Sequence, residues 1–403
     1  MAESRIRSKA DVIKEQKCEA CGGSLVFDPK SGKLVCEYCG TVYEIKEEAT
    51  EAGAAAAAAQ GAGGAAAAVI PGQAPSGEGE EVPIPQGPSA TEVEGFNFHE
   101  LNEMVTDENA EDLPVYNCRS CGAEIIAPPS QIALTCPYCG NNIVLTEKVS
   151  GKLRPNGVLP FRIVPKDLPD AMKRFYRGKV LLPKNFFSES TMGHVTGVYV
   201  PFWTFSGAVN GTMKYLGETV SNTVVGSYRI TETKEYALDR DVNISFDSVP
   251  VDASGRIEDK LMDSLEPFDM KEAKPFDMRY LAGFTADRFD VAKDNIEKRA
   301  RDRMTSSVSN IARAQVSGYS NVRSLGGRLN FNIDAKYLLF PVYMFDIKHD
   351  GKAYHFAVNG QTGKVVGEIP TDKTVSFFYF AKRALAVAAA VLAFAVLKYL
   401  GGR

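Results

Sequence analysis

The chain has 403 residues, of which 44% are hydrophobic and 24% charged, and its formal net charge at pH 7 is −4. This composition excludes a wholly disordered chain and a polytopic membrane protein, and at roughly 150 residues per domain the length predicts two or three domains. The negative charge balance argues against a surface built to neutralise phosphates, although a local basic patch stays open.

The first 17 residues contain no apolar run of the kind that a secretory signal needs. We therefore expect the N-terminal part of the chain to stay in the cytosol, where thiols are kept reduced. This compartment decides how the cysteines that follow are interpreted.

Eight cysteines form two matched sets, each with the pattern C-x2-C-x14-C-x2-C, and the sets superpose at an offset of 100 residues. Reduced thiolates at this spacing are typical of a closed, tetrahedral four-cysteine zinc site. A glycine after the second and the fourth cysteine of each set favours the tight turn of a zinc knuckle. The sequence predicts two structural zinc ions, in a first ribbon at residues 1–48 and a second at 113–150, with the ligands Cys18, Cys21, Cys36, Cys39, Cys118, Cys121, Cys136 and Cys139.

Three other uses of these cysteines are disfavoured. A reducing compartment argues against disulfides, and four CxxC pairs are more than a redox site needs. A catalytic zinc is disfavoured because four thiolates leave no coordination position for water. The segments resemble rubredoxin-like (TFIIB-type) zinc ribbons of transcription factors, polymerase subunits and replication helicases, and the cysteines alone do not decide what such a ribbon binds.

An Ala/Gly/Pro-rich segment at residues 49–112 separates the two ribbons, and part of it reads EAGAAAAAAQGAGGAAAA. Such a composition cannot bury a core, so we predict a flexible linker. The first ribbon is then expected to hang free of the rest of the chain. The second ribbon runs without a linker into the next domain, and we expect it to dock there.

Residues 151–371 are rich in aromatic residues and predict an antiparallel β-rich α+β domain. Two helices are expected, a short one at residues 167–177 and a long one from Thr285 to about Val316, where apolar residues recur every three or four positions. A second repeat, at an offset of 140, relates VYVPFWTF at 198–205 to LLFPVYMF at 338–345, each followed by a predicted turn at Asn210-Gly211 or Asp350-Gly351. It predicts an internal duplication of residues 156–250 and 281–370, with prolines at edges or bulges, unless aromatic strands merely look alike.

The C-terminal residues 377–400 form an apolar segment that predicts a single transmembrane helix. Its strictly uncharged part is only 14 residues long, but Lys382, Arg383 and Lys398 can snorkel to the interface and lengthen the usable span. The alternative is a helix packed on the soluble domain or on a partner. The expected localisation is the cell membrane, with the N-terminal bulk of the chain in the cytoplasm.

No catalytic residues are predicted. The four histidines have no metal or triad spacing, GQTGK at residues 360–364 lacks the spacing of a P-loop and predicts a hairpin turn, and no nucleophile elbow or dinucleotide fingerprint is present. The basic run KRARDR at residues 298–303 alternates with acids and indicates a solvated helix face rather than a phosphate site.

Together the twin ribbons, the strand GVYVPFW, the hairpin FAVNGQTGKVVGE and the terminal apolar helix resemble bacterial membrane-anchored double-zinc-ribbon proteins, which are often labelled PriA-helicase-like. The resemblance implies a component of an envelope-stress module that recruits PspA-like (phage-shock-protein-A-like) or stomatin-type (SPFH) proteins to the membrane. The leading hypothesis is a non-enzymatic, membrane-anchored adaptor that binds protein partners and forms a homo- or hetero-oligomer. The alternatives are a nucleic-acid-binding zinc-ribbon protein and, more weakly, an enzyme with an unfamiliar site in the β-rich domain.

Overall fold

The computed structural model describes residues 13–45, 80–82, 115–149, 153–187 and 195–401, apart from positions 15, 119, 128–129, 137, 140 and 184–185. Within these residues the strands are β1 (Ile13–Lys14), β2 (Leu25–Asp28), β3 (Lys33–Cys36), β4 (Val42–Tyr43), β5 (Glu80–Val82), β6 (Val115–Asn117), β7 (Glu124–Ile126), β8 (Gln131–Thr135), β9 (Asn142–Leu145), β10 (Gly157–Val158), β11 (Thr196–Val225), β12 (Tyr228–Asp252), β13 (Lys274–Pro275), β14 (Thr285–Asp287), β15 (Asn321–His349), β16 (Lys352–Asn359) and β17 (Val365–Gly367). The α-helices are α1 (Leu168–Tyr176), α2 (Asp259–Leu265), α3 (Lys293–Ala314) and α4 (Lys373–Gly401).

Three long strands form the centre of the main sheet. β11 pairs antiparallel with β12 on one side and with β15 on the other. Because alternate side chains of a strand point to opposite faces, Phe205, Val209 and Met213 lie on one face and Val200 and Phe202 on the other. The first face packs on α3 and the second on α2, so the core is divided between the two sides of this sheet.

Helix α3 covers its face with an apolar stripe. Every fourth residue along it is buried: Ile296, Ala300, Met304, Val308 and Ala312. Residues four apart lie on the same side of an α-helix, so this spacing builds one continuous contact with the sheet.

The predicted start of α3 at Thr285 is wrong. Residues Thr285–Asp287 form β14, which pairs with β8 and β11, and the helix begins only at Lys293. The apolar residues that recur with the helical period begin only at Phe289, and Ala286 is buried within the sheet. Pairing with two strands that are distant in sequence overrides the local pattern.

The long strand β11 also contradicts the predicted turn at Asn210-Gly211. Both residues lie inside the strand, which continues to Val225. A Cβ on Gly211 would overlap the carbonyl oxygen of Arg328 in the neighbouring strand, so glycine here permits a close approach between strands rather than a reversal of the chain. The turn predicted at Asp350-Gly351 does join β15 to β16.

The pairing of β11 and β15 brings the two copies of the sequence repeat next to each other. Each of these strands pairs first with a short parallel strand, β14 at Val198 or β10 at Leu338, and then with an antiparallel return strand that ends opposite Phe202 or Val342. Both steps are separated by 140 residues, as in the sequence repeat. Equivalent positions meet where Val200 faces Phe340, so a pseudo-twofold axis passes between the two strands at that point.

The matching geometry of the two halves also explains why each central strand tolerates a proline. Pro201 and Pro341 lie in central strands, not at the sheet edge, yet each falls between the residues that pair with the short parallel strand and those that pair with the end of the return strand. Each proline carbonyl accepts a hydrogen bond, from Ala253 N (3.0 Å) and Gly360 N (2.9 Å) respectively. A residue without an N–H is tolerated where the neighbouring strand changes.

Most of the predicted linker at residues 49–112 lies outside the described residues. Its residues Glu80–Val82 form β5, which pairs antiparallel with Gly327–Leu329 of β15.

Candidate metal centres

The first ribbon brings its four cysteines together through two knuckles. In each knuckle a backbone N–H, from Gly22 or Gly40, donates to the carbonyl of the first cysteine of the pair at 2.8 or 2.9 Å. Both glycines have positive φ, +73° and +72°, so the predicted need for a residue without Cβ is met. The strands β2, β3 and β4 join the knuckles in a three-stranded sheet.

The second ribbon repeats this arrangement. Gly122 N donates to Cys118 O at 2.7 Å, and Gly122 has a φ of +77°. The strands around the knuckles differ from those of the first ribbon, since β6 pairs with β7 and β8 with β9.

The distances between the thiols fit zinc in both quartets. All four Sγ atoms of each quartet lie within 4.8 Å of one another. The cross-knuckle Sγ–Sγ distances are 3.5 Å in the first ribbon and 3.7 and 3.8 Å in the second. A tetrahedral zinc with Zn–S of about 2.3 Å requires about 3.8 Å between sulfurs, and a disulfide requires about 2.05 Å.

Each quartet is therefore a site suited to one structural zinc ion held by four thiolates. One cysteine of every CxxC pair is buried and the other exposed. The buried thiols tie the ion to the ribbon core, and a closed four-thiolate shell leaves no position for a water molecule.

Tyr43 supports the first site and was not found from the sequence. Its hydroxyl accepts a hydrogen bond from Glu19 N (3.0 Å) and lies 3.2 Å from Cys18 Sγ. This hydroxyl lowers the pKa of the Cys18 thiol to about 6 and so favours the thiolate that a metal binds. A tyrosine four residues after the last cysteine was the available signal, but only the return of β4 against β3 brings it to the site.

The first ribbon does not hang free, contrary to the expectation from the linker. Phe27, only 4% exposed, packs edge-on against Tyr280 with ring centroids 5.3 Å apart, and its N–H donates to Ala282 O at 2.9 Å. Lys30 pairs with Asp167 at 3.4 Å. Residues of the first ribbon thus share one apolar core with the β-rich domain.

The second ribbon docks on the β-rich domain, as expected. Its strand β8 pairs with β14, and Arg288 N donates to Ser130 O at 2.7 Å beside that pairing. The two ribbons also touch, because the Ser24 hydroxyl donates to the side chain of Asn141. Both zinc sites are therefore fixed relative to the main sheet.

Two aromatic side chains stand out of the ribbons at equivalent positions. Tyr38 is 86% exposed and Tyr138 is 73% exposed, and each lies just before the last cysteine of its quartet. Two other apolar residues of the ribbons, Phe27 and Ile125, are buried. Among the described ribbon residues, the exposed large apolar side chains are Tyr38, Tyr138 and Val42, which is 52% exposed.

The described histidines and the GQTGK segment have partners within the fold. Among the described histidines, His355 Nδ1 lies 2.6 Å from Asp346 Oδ1 and His349 lies 3.5 Å from Asp350. His99 and His194 lie outside the described residues. Residues 360–363 form the hairpin turn predicted there, with Gly363 N donating to Asn359 O at 2.9 Å.

The basic run on α3 is neutralised within the fold. Arg299 bonds Asp263 at 2.8 Å, Arg301 bonds Glu297 at 2.9 Å, and Arg303 bonds Glu266 at 2.7 Å. These pairs agree with a helix face laced by ion pairs and leave little positive charge for a phosphate.

One buried carboxyl was missed by the sequence. Asp252, 2% exposed, accepts a hydrogen bond from Ser254 N (3.1 Å), and its other oxygen has no hydrogen-bond partner among the described residues. Burial raises the pKa of Asp252 to about 8, and the nearby Asp259 adds to the shift. Asp252 ends a strand whose sequence suggests exposure, so nothing in the sequence indicated that its carboxyl is buried.

Comparison with known proteins gives two matches. The family model described as Trm112p-like protein matches residues 17–48, the first ribbon. The chain is also similar to the Bacillus subtilis (strain 168) protein named "Uncharacterized protein YdjG", with 32% identity over 231 residues, which are 57% of this chain and 68% of the relative. No solved structure matches the chain.

Proposed function

The chain belongs to the family of Bacillus subtilis YdjG, and we propose that it is a non-enzymatic, membrane-anchored adaptor whose zinc ribbons bind protein partners at the cytosolic face. The observation that carries the proposal is the pair of exposed tyrosines, Tyr38 and Tyr138, on rigid knuckles that dock against one sheet. Aromatic side chains on a preformed surface lose little conformational freedom on binding, and they are enriched among residues that dominate protein interfaces.

The zinc chemistry supports a binding role. Closed four-thiolate sites hold structure and offer no open position for a substrate or an activated water. Each ribbon is about 25 residues of backbone with a small core, so the metal supplies the stability that keeps the tyrosines in place.

Helix α4 supports the membrane anchor. Residues Thr374–Phe394 are long and apolar enough to cross a membrane, and none of this stretch is buried within the protein. Side chains on every side of the helix are exposed, among them Phe377, Leu385 and Phe394. Such a large apolar surface is rare in water, and a bilayer is the environment that removes it at lowest cost.

The charge of the ribbons favours protein over nucleic acid. From Cys18 to Cys39 the chain has two lysines against three acids, and from Cys118 to Cys139 one arginine against one glutamate. A surface that follows a phosphate backbone needs several cations, because affinity rises with the number of phosphates neutralised. We propose PspA-like or SPFH-type proteins as the partners, in an envelope-stress role.

A photo-crosslinking experiment in native membranes tests the adaptor. A photoreactive amino acid replaces Tyr38 or Tyr138 in the full chain, and a matched control replaces Tyr228, which is also largely exposed but lies at the tip of the β11–β12 hairpin. We expect a PspA-like or SPFH-type protein to be captured from the ribbon positions and not from Tyr228. Capture of DNA or RNA from those positions, or equal protein capture at all three, would contradict the proposal.

A further inference from the structure

A dense basic segment ends helix α1 and the turn that follows it. The residues KRFYRGK at 173–179 include four cations, Lys173, Arg174, Arg177 and Lys179, in a chain whose net charge is −4. The first three are exposed. Lys179 lies 3.1 Å from the ring centre of Phe175, and burial lowers its pKa.

Acidic side chains neutralise little of this charge. Asp170 pairs with Lys173 at 3.1 Å, while among the described residues no carboxylate forms an ion pair with Arg174 or Arg177. The β15–β16 hairpin carries Lys348 and Lys352 but also Asp346 and Asp350, and so adds no net charge. Within the part of the chain that the structure describes, the two exposed arginines therefore have no counter-charge, unlike the paired arginines of α3.

The segment lies at the base of the apolar helix. Asp372 N donates to Leu181 O at 3.0 Å, and the Asp372 side chain caps α4 by accepting from Thr374 N at 2.7 Å. Leu181 lies four positions after Arg177, which limits the distance between their Cα atoms to about 14 Å. The candidate membrane span begins at Thr374, so the cations lie beside the point where the chain would enter a bilayer.

The positive charge continues along the first part of α4. Lys382 and Arg383 are exposed, and the Arg383 guanidinium lies 5.3 Å from the ring centre of Tyr379. They lie eight and nine positions after Thr374, about 12 to 14 Å along the helix, and their long side chains can snorkel back to the headgroups on the side where the span begins. The cations of the folded domain and those of α4 thus lie toward the same end of the helix, its N-terminal end.

We propose that Lys173, Arg174 and Arg177 form a lipid-binding surface for anionic headgroups of the bilayer that α4 crosses. This surface rests on the proposed membrane anchor, and it would hold the β-rich domain against the membrane rather than leave it to rotate on a single helix. Juxtamembrane cations attract an anionic leaflet, with an effect of about fivefold in affinity for each cation close to the surface.

Native mass spectrometry of the full chain, released from micelles that contain phosphatidylglycerol and phosphatidylcholine, tests the surface. We expect the wild-type protein to retain phosphatidylglycerol preferentially, and Arg174→Gln combined with Arg177→Gln to reduce that preference at least fivefold. Arg174→Lys with Arg177→Lys should keep it. The matched control is Arg229→Gln with Lys234→Gln on the exposed β12 strand, which should leave the preference unchanged. Unchanged zinc content and Trp203 emission verify that every variant is folded.

The outcomes separate the two proposals. If wild-type protein fails to float with vesicles, the membrane anchor itself is wrong. If it floats but retains both lipids equally, or if the glutamine pair loses a captured protein partner while keeping the lipid preference, the lipid-binding surface is wrong and the segment serves an acidic protein instead.

Discussion

Replacing Phe27 by alanine measures how firmly the first ribbon is joined to the β-rich domain. Phe27 is not a zinc ligand, and its ring lies 5.3 Å from Tyr280, while Tyr38 of the same ribbon is 86% exposed and provides a matched control. An aromatic pair contributes about 0.5–1.5 kcal/mol beyond its buried area, and truncating a buried phenylalanine costs about 3–5 kcal/mol in all. We therefore expect Phe27→Ala to lower the free energy of unfolding of the β-rich domain by about 1 to 5 kcal/mol, and Tyr38→Ala to leave it unchanged.

The single tryptophan makes the measurement specific to the β-rich domain. Trp203 packs against Phe289 at 5.1 Å and Tyr337 at 5.7 Å, far in sequence from the ribbon, so its fluorescence reports unfolding of the main sheet. Denaturant titrations of the full chain in detergent, with zinc content measured for each variant, give the comparison. If Phe27→Ala retains its zinc and unfolds at the wild-type midpoint, the ribbon is tethered and not docked, and the reasoning from this contact fails.

Further predictions concern the metal, the buried acid and the anchor. Elemental analysis should give two zinc ions per chain, and Cys136→Ser should lose one of them and lower the Trp203 unfolding midpoint, because β8 belongs to the main sheet; intact disulfides with no zinc would contradict this. Because the folded protein keeps a proton on Asp252, whose pKa rises from 3.8 to about 8, the free energy of unfolding should fall as pH rises between these values. Asp252 should contribute at most about 1.4 kcal/mol per pH unit to this slope, and that contribution should be lost in Asp252→Asn but not in Asp239→Asn, as measured by melts in a pH series. Ala390→Arg, near the middle of α4, should cost about 2.5–3.5 kcal/mol of insertion and reduce flotation with membranes, whereas full flotation would argue against a spanning helix.

The spacing of residues along the chain predicts the metal sites and much of the architecture. Cysteines separated by two and by fourteen intervening residues meet through knuckles and one hairpin, so the pattern alone predicts both quartets and their zinc. The same holds for the apolar α4 and for the repeat at an offset of 140, because proline, aromatic residues and strand period recur in register in both halves.

Contacts between residues far apart in the chain were decided only by the tertiary structure. Phe27 and Tyr280 are separated by the whole linker and second ribbon, and no periodicity records which surfaces meet across such a distance. Likewise Asn210-Gly211 reads as a turn, but β15 lies alongside and the close approach of Arg328 makes the glycine part of a strand. The predicted helix included Thr285–Asp287, but these residues pair with β8 and β11 in the sheet. A sequence pattern reports which face of an element is apolar, whereas the identity of the partner that covers that face depends on the packing of the whole chain.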